Sequence, residues 1–377
     1  MMRAAFALLA LACLEPHSSS ARLVTIYNDR PRFDVDGNYV DCHDGNIVHH
    51  NGTFYMYGEF YGNLTGRPFV PAPGWGAAPQ LSVYTSPDME AWTFRGNLFN
   101  SSVPSDPSFT KWIPTAVHSP ACGCFVLWFG SGAWAMATSL DGVHFDLVTN
   151  GATSRLGGGT DGTGLLLDDD GVGYVAFSVP DGGPPGGHRL SIERLAPDLL
   201  SSSKVNVSGF FPITYVESPS MFKRAGRYYL LSPSCCCACR GGSGLAVYSA
   251  TSMLGPWALQ HGDVNCRDAA VEICGAFGMR TEGQADIVWN AQWWSVSPIA
   301  LAGGDTALLL SGRRWLSGEG NNASCGDLCG NNGDNAPCVN PAYELRSDLD
   351  VWLPLEFDAD GNVLLLRPLQ NFTLDLA

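Results

Sequence analysis

A two-part phrase recurs along the 377 residues and restricts the fold more than any other feature of the chain. Each copy has an aromatic-rich apolar run after a turn, then a second apolar run. The copies fall at 51–58 with 81–88, 124–130 with 135–142, 171–178 with 190–194, 226–232 with 245–249 and, in a more degenerate form, 292–296 with 307–311. Their spacing is that of propeller blades, and no copy carries an amphipathic helix long enough to cover a sheet face. Strand-rich units of this kind bury their faces only against one another. Five of them in radial array make an all-β, five-bladed β-propeller, with a pair of β-sandwiches as the alternative arrangement. No linker-like composition separates the copies, so 22–377 reads as one propeller domain.

Composition agrees and narrows the choice of partner. Forty-four glycines and 24 prolines favour turns over long helices, while 45% hydrophobic residues supply a large core. Lysine and arginine total 21 against 36 acidic residues, a formal charge of −15. A surface this negative repels phosphate backbones and anionic headgroups, which disfavours nucleic acid and membrane as partners. A neutral partner fits better.

Residues 4–14 form a short apolar run behind Met1-Met2-Arg3, followed by small residues up to Ala21. That is the layout of a signal peptide spanning 1–21, too short to cross a bilayer of roughly 30 Å. A secreted or secretory-lumen protein is expected, and the cysteines agree. Cys13 would leave with the leader, and the other twelve are an even set that can pair completely. A zinc site at Cys236-x-x-Cys239 or Cys325-x-x-x-Cys329 lacks a matching second pair. Six Asn-x-Ser/Thr sequons, at Asn51, Asn63, Asn100, Asn206, Asn322 and Asn371, are glycan acceptors in that compartment.

In a propeller, chemistry gathers where the innermost strands begin. The first copy opens with Asp41-Cys42-His43-Asp44-Gly45, the third with Thr160-Asp161-Gly162 and the fourth with Val216-Glu217-Ser218. Asp44, Asp161 and Glu217 would then face one another across one funnel. Carboxylates crowded in a partly desolvated cavity resist joint ionisation, so one keeps its proton near neutral pH. Glycosidic cleavage needs that pairing: a protonated acid for the leaving oxygen, and a second group on the opposite face to activate water or attack carbon. Asp168-Asp169-Asp170-Gly171 reads instead as a hairpin turn. Any single Trp is first of all blade packing. His43 is open to two readings, lining the funnel or satisfying a backbone carbonyl.

At these openings the chain resembles glycoside hydrolase family 43, and within it the exo-acting galactan 1,3-β-galactosidases. The carriers are His43-Asp44-Gly45-Asn46-Ile47-Val48 with the run from Asn51 to Glu59, Glu217-Ser218-Pro219-Ser220-Met221-Phe222, Gly283-Gln284, Gly312-Arg313-Arg314-Trp315, and Val351-Trp352-Leu353-Pro354. The resemblance implies a five-bladed propeller and hydrolysis, with inversion, of a polysaccharide or oligosaccharide substrate. It makes Glu217 the general acid and Asp161 the acid that orients it and tunes its pKa. The base is Asp44, as in the wider family, or Gln284, as in the galactanase branch; Asp44 is favoured because a carboxylate is a competent base. His43, Glu59, Trp112 and Arg314 are the substrate-binding candidates, Trp112 standing where the branch has a substrate-contacting Glu. Asp161 lies one residue further from its Asp-Asp-Asp-Gly turn than the family spacing, which either a bulge or a misalignment would produce. No cofactor is implied, although some relatives carry a structural Ca²⁺ on the axis. α-L-Arabinofuranosidase or β-xylosidase activity on the same scaffold is the alternative, and a non-catalytic glycan-binding propeller is a third.

Overall fold

The computed structural model describes residues 22–62, 80–99, 111–130, 133–152, 161–180, 188–214, 216–233, 243–261, 289, 291–314 and 349–377. The expected leader with Cys13, Gln284 and the nine cysteines from Cys235 to Cys338 lie outside them. No helix among the described residues is long and apolar enough to cross a membrane.

After β1 (Arg22–Tyr27) the strands group into five antiparallel sheets. Blade one holds β2 (Ile47–His50), β3 (Thr53–Phe60), β4 (Gln80–Ser86) and β5 (Thr93–Asn97). Blade two holds β6 (Thr115–Ser119), β7 (Cys124–Phe129), β8 (Trp134–Ser139) and β9 (Asp146–Ala152). β10 (Asp161–Leu167), β11 (Gly173–Pro180), β12 (His188–Leu195) and β13 (Ser202–Thr214) make blade three. Blade four is β14 (Ser220–Arg224), β15 (Arg227–Pro233), β16 (Leu245–Ala250) and β17 (Ala258–His261). β18 (Ala291–Ala300), β19 (Thr306–Arg314) and β20 (Leu349–Pro354) form blade five. The first strands of the blades touch in a closed ring, β2 to β6, β10, β14, β18 and back to β2, as the five-bladed propeller requires.

The second strands of blades one to four are largely buried on both faces, which is why they read as near-continuous apolar runs. On β7, Phe125, Leu127 and Phe129 pack toward blade one while Val126 and Trp128 pack toward blade three, the two-residue alternation filling two seams at once. Five such seams hold five separate apolar clusters. Trp92, Trp128, Trp134 and Trp293 are buried in them. The seam between blades five and one is covered by a two-stranded ribbon, β1 with β21 (Asn371–Leu376), in antiparallel register from Arg22↔Leu376 to Tyr27↔Asn371. Val24, Ile26, Leu374 and Leu376 put its apolar face against Trp92 and Trp352. The ribbon thereby ties residues 22–27 and 371–376 to the two blades that must meet.

Two details of the sequence reading need amendment. In blades one to four the recurring phrase marks the second and third strands, but in blade five Gln292–Val296 lies on the first strand and Ala307–Ser311 on the second. The fifth copy is out of phase by one strand. The cysteines do not all pair either: Cys122 bonds Cys124, whereas Cys42 is a free, buried thiol. Its Sγ lies 3.4 Å from the Met56 carbonyl inside blade one. The turn expected at 168–171 is present, closed by Gly171 N–H to the Asp168 carbonyl at 2.9 Å.

Candidate active site

The segments that open blades one, three and four converge at one end of the axis. Cys42 and His43 lie directly on β3, with His43 and Glu59 exchanging backbone hydrogen bonds of 2.9 and 2.6 Å. That approach depends on Gly58, where a Cβ would fall 2.4 Å from the Cys42 carbonyl carbon. Asp44 follows at φ +60°, a left-handed conformation that few residues other than glycine adopt without cost. Blade three opens with a register shift between Asp161 and Thr163, the bulge that is one of two ways to account for the extra residue. Gly162 packs there against Ser218, with room for no side chain: a Cβ would lie 2.6 Å from the Ser218 Cα. The backbone of Asp161 is therefore brought beside that of Glu217; the Asp161 side chain is outside what the structure describes.

Glu217 and Asp44 are both buried, 5% and 7% exposed, and blade five holds each of them. Gln292 on β18 donates from Nε2 to Glu217 Oε1 at 2.5 Å. Arg313 on β19, without exposed surface, donates from Nη1 to Asp44 Oδ2 at 2.5 Å. Asp44 Oδ1 is buried and accepts no hydrogen bond from the described residues. His188, at the start of β12, stands 3.8 Å from Glu217 Oε2 through Nδ1. Burial pushes the Asp44 carboxyl up from the ordinary range, Arg313 and His43 pull it back, and the net direction is upward.

The neighbouring groups form two further pairings. His43 is clasped between Asp350 on β20, 3.1 Å from Nδ1, and Asp41, 3.3 Å from Nε2. The Asp41 contact is an ion pair that is out of line for a hydrogen bond. Burial alone would lower the His43 pKa, but Asp350 and Asp41 outweigh it, and the imidazole is raised to about 10. Glu59 accepts from the Ile113 N–H at 2.8 Å and from the Tyr61 hydroxyl, and burial pushes its carboxyl well above the usual range. Both Glu59 oxygens are thus engaged by the protein. Through Ile113 it fixes the segment that carries half-buried Trp112, whose carbonyl accepts from Gly130 N–H at 2.9 Å.

The structure therefore gathers His43, Asp44, Glu59 and Glu217, and places Trp112 next to the Glu59 anchor. Arg314 alternates to the face opposite Arg313 on β19. Gln284 lies outside the described residues. Sequence reasoning passed over Arg313, Gln292, Asp350 and Asp41. Arg313 and Gln292 stood inside runs already quoted, and the two-residue alternation of β19 separates Arg313 from Arg314. Among the described residues no three His, Cys, Asp or Glu side chains are arranged to hold a metal ion.

Known structures share this architecture. An exo-β-1,3-galactanase from Clostridium thermocellum superposes at TM-score 0.65 and 19% identity, over 93% of this chain and 67% of its own. That from Phanerochaete chrysosporium, solved with β-1,3-galactotriose, gives 0.65 and 18%, over 91% of this chain and 67% of its own. A family 43 β-1,3-galactosidase solved with galactodeoxynojirimycin gives 0.64 and 19%, over 90% and 97%. At such identities the likeness is one of fold. No curated protein matches the sequence significantly. The model of glycosyl hydrolases family 43 matches residues 38–272, more than half of the chain and all of the segments that open blades one to four. With the propeller and its paired carboxylates in place, that match makes the chain a member of glycoside hydrolase family 43.

Proposed function

We propose that this glycosidase is exported and releases sugars from the non-reducing end of β-1,3-galactan or arabinogalactan side chains, with inversion. The support is one observation: two buried carboxylates, Glu217 and Asp44, open different blades and are held by donors from a third. In this reading Glu217, protonated, gives its hydrogen to the leaving oxygen as the glycosidic C–O bond breaks. Asp44 takes a proton from the water that attacks the anomeric carbon from the opposite face. Asp161 orients Glu217. The galactan preference rests on the motif resemblance and on the galactanases among proteins of the same fold.

The decisive experiment combines substrate and product. Wild-type protein is offered β-1,3-galactobiose and aryl β-galactosides, α-L-arabinofuranosides and β-xylosides, and ¹H NMR identifies the first anomer released. Galactose release with the α-anomer first is the expected result; a β-anomer first would overturn inversion, and cleavage of the pentosides alone would move the specificity to them. Glu217→Gln should lower kcat/KM on the disaccharide by about 10²- to 10⁴-fold, the usual contribution of a positioned acid.

A further inference from the structure

The donors to Glu217 and Asp44 are not merely on the same blade. Gln292 and Arg313 are direct partners in the β18–β19 register, and Arg313 and Asp350 are direct partners in the β19–β20 register. Residues directly opposed in an antiparallel sheet project from the same face. One rung across blade five therefore presents Gln292 to the opening of blade four, Arg313 to Asp44, and Asp350 to His43 in the opening of blade one.

Resting on the acid and base roles proposed above, we infer that the Gln292–Arg313 rung is the positioning device that sets the two carboxylates relative to each other. Gln292 acts through Glu217 and Arg313 through Asp44. The rung's spacing is set by backbone hydrogen bonds, so it holds the carboxylates apart with the stiffness of a sheet. Tying Oδ2 of Asp44 to Arg313 leaves Oδ1, which accepts no hydrogen bond from the described residues, as the oxygen that receives the proton from water. Around Asp44 the other titratable or charged groups are His43 on its own segment, Cys42 beside it, Glu59 on β3 with Tyr61 just beyond it, and Asp350 on β20. Arg313 and His43 are the cations among them. Removing Arg313 takes away a positive charge that favours the Asp44 carboxylate, so the base must titrate at higher pH.

The two halves of the rung have different kinetic signatures. In Arg313→Met the acidic limb of the kcat/KM–pH profile should move upward and kcat/KM at its own optimum should fall about 10²-fold, by a similar factor for good and poor leaving groups. Arg313→Lys, which keeps the charge, should restore the position of the limb. In Gln292→Leu the limb should stay in place, and the loss should be about tenfold greater on β-1,3-galactobiose than on an activated aryl galactoside, because only the poor leaving group needs the acid. Thermal melting confirms that each variant is folded. If Arg313→Met leaves the acidic limb where it was, or Gln292→Leu loses activity equally on both substrates, the rung is structural only and the inference is wrong. Asp44→Asn separates this from failure of the underlying reading: full activity in that variant removes the base assignment itself, whatever the rung variants do.

Discussion

Asp44 carries two opposing contributions at a single residue. Its backbone lies at φ +60°, which costs about 1 kcal/mol relative to a glycine. Its side chain neutralises a fully buried arginine, and breaking such a pair from one side costs about 3–5 kcal/mol. The ion pair outweighs the strain. Asp44→Gly should accordingly lower the melting temperature despite relaxing the backbone, and Asp44→Gly with Arg313→Leu should recover much of the loss; a melting temperature raised by the single substitution would refute this balance. His43 offers a second check. Its pKa in the folded protein is raised to about 10 by Asp350 and Asp41 despite burial, so its stabilisation is complete below the ordinary imidazole value of about 6.5 and is lost as pH climbs toward 10. Denaturant unfolding should show stability declining over that interval, and His43→Gln should flatten the decline.

The blades explain how much of this could be read beforehand. The aromatic runs of β3, β7, β11 and β15 are buried on both faces, so they leave continuous apolar stretches that repeat visibly. Blade five is different because Ser295, Ser297 and Gln292 interrupt its first strand with polar groups that reach other blades. Ser295 donates to the Gly45 carbonyl, Gln292 to Glu217, and Ser297 accepts from Ile47 N–H. Those polar residues disguise the phase of the repeat. Glu217 and Asp44 were legible because each precedes an apolar strand at the same point in its blade. Arg313 was not, since two arginines stand side by side and only the strand's parity tells which one faces the carboxylates. Gln292 was hidden among tryptophans. The β1–β21 ribbon left no repeat at all, and it supports its own prediction: Leu374→Ala, removing a side chain only 5% exposed against Trp92 and Trp352, should destabilise the protein by about 2–5 kcal/mol in chemical unfolding.

For the molecule as a whole, closure of the ring and assembly of the site are one event. Blade five touches blades four and one, and it is these two that bring Glu217 and Asp44. The seam under the ribbon of β1 and β21 therefore bears on the separation of Glu217 and Asp44 as well as on the packing of blades five and one. The buried thiol of Cys42 has a different bearing on the whole chain. On the proposed export, a leader carrying Cys13 leaves and twelve cysteines remain; among the described residues Cys42 is sequestered in blade one and Cys122 and Cys124 are joined to each other. Nine is an odd number, so those left cannot be matched off within a single polypeptide. Mass spectrometry after alkylation of the denatured, unreduced mature protein should therefore find at least two modified cysteines per chain, or at least one in a covalently linked dimer; a single modified cysteine in a monomer would refute this.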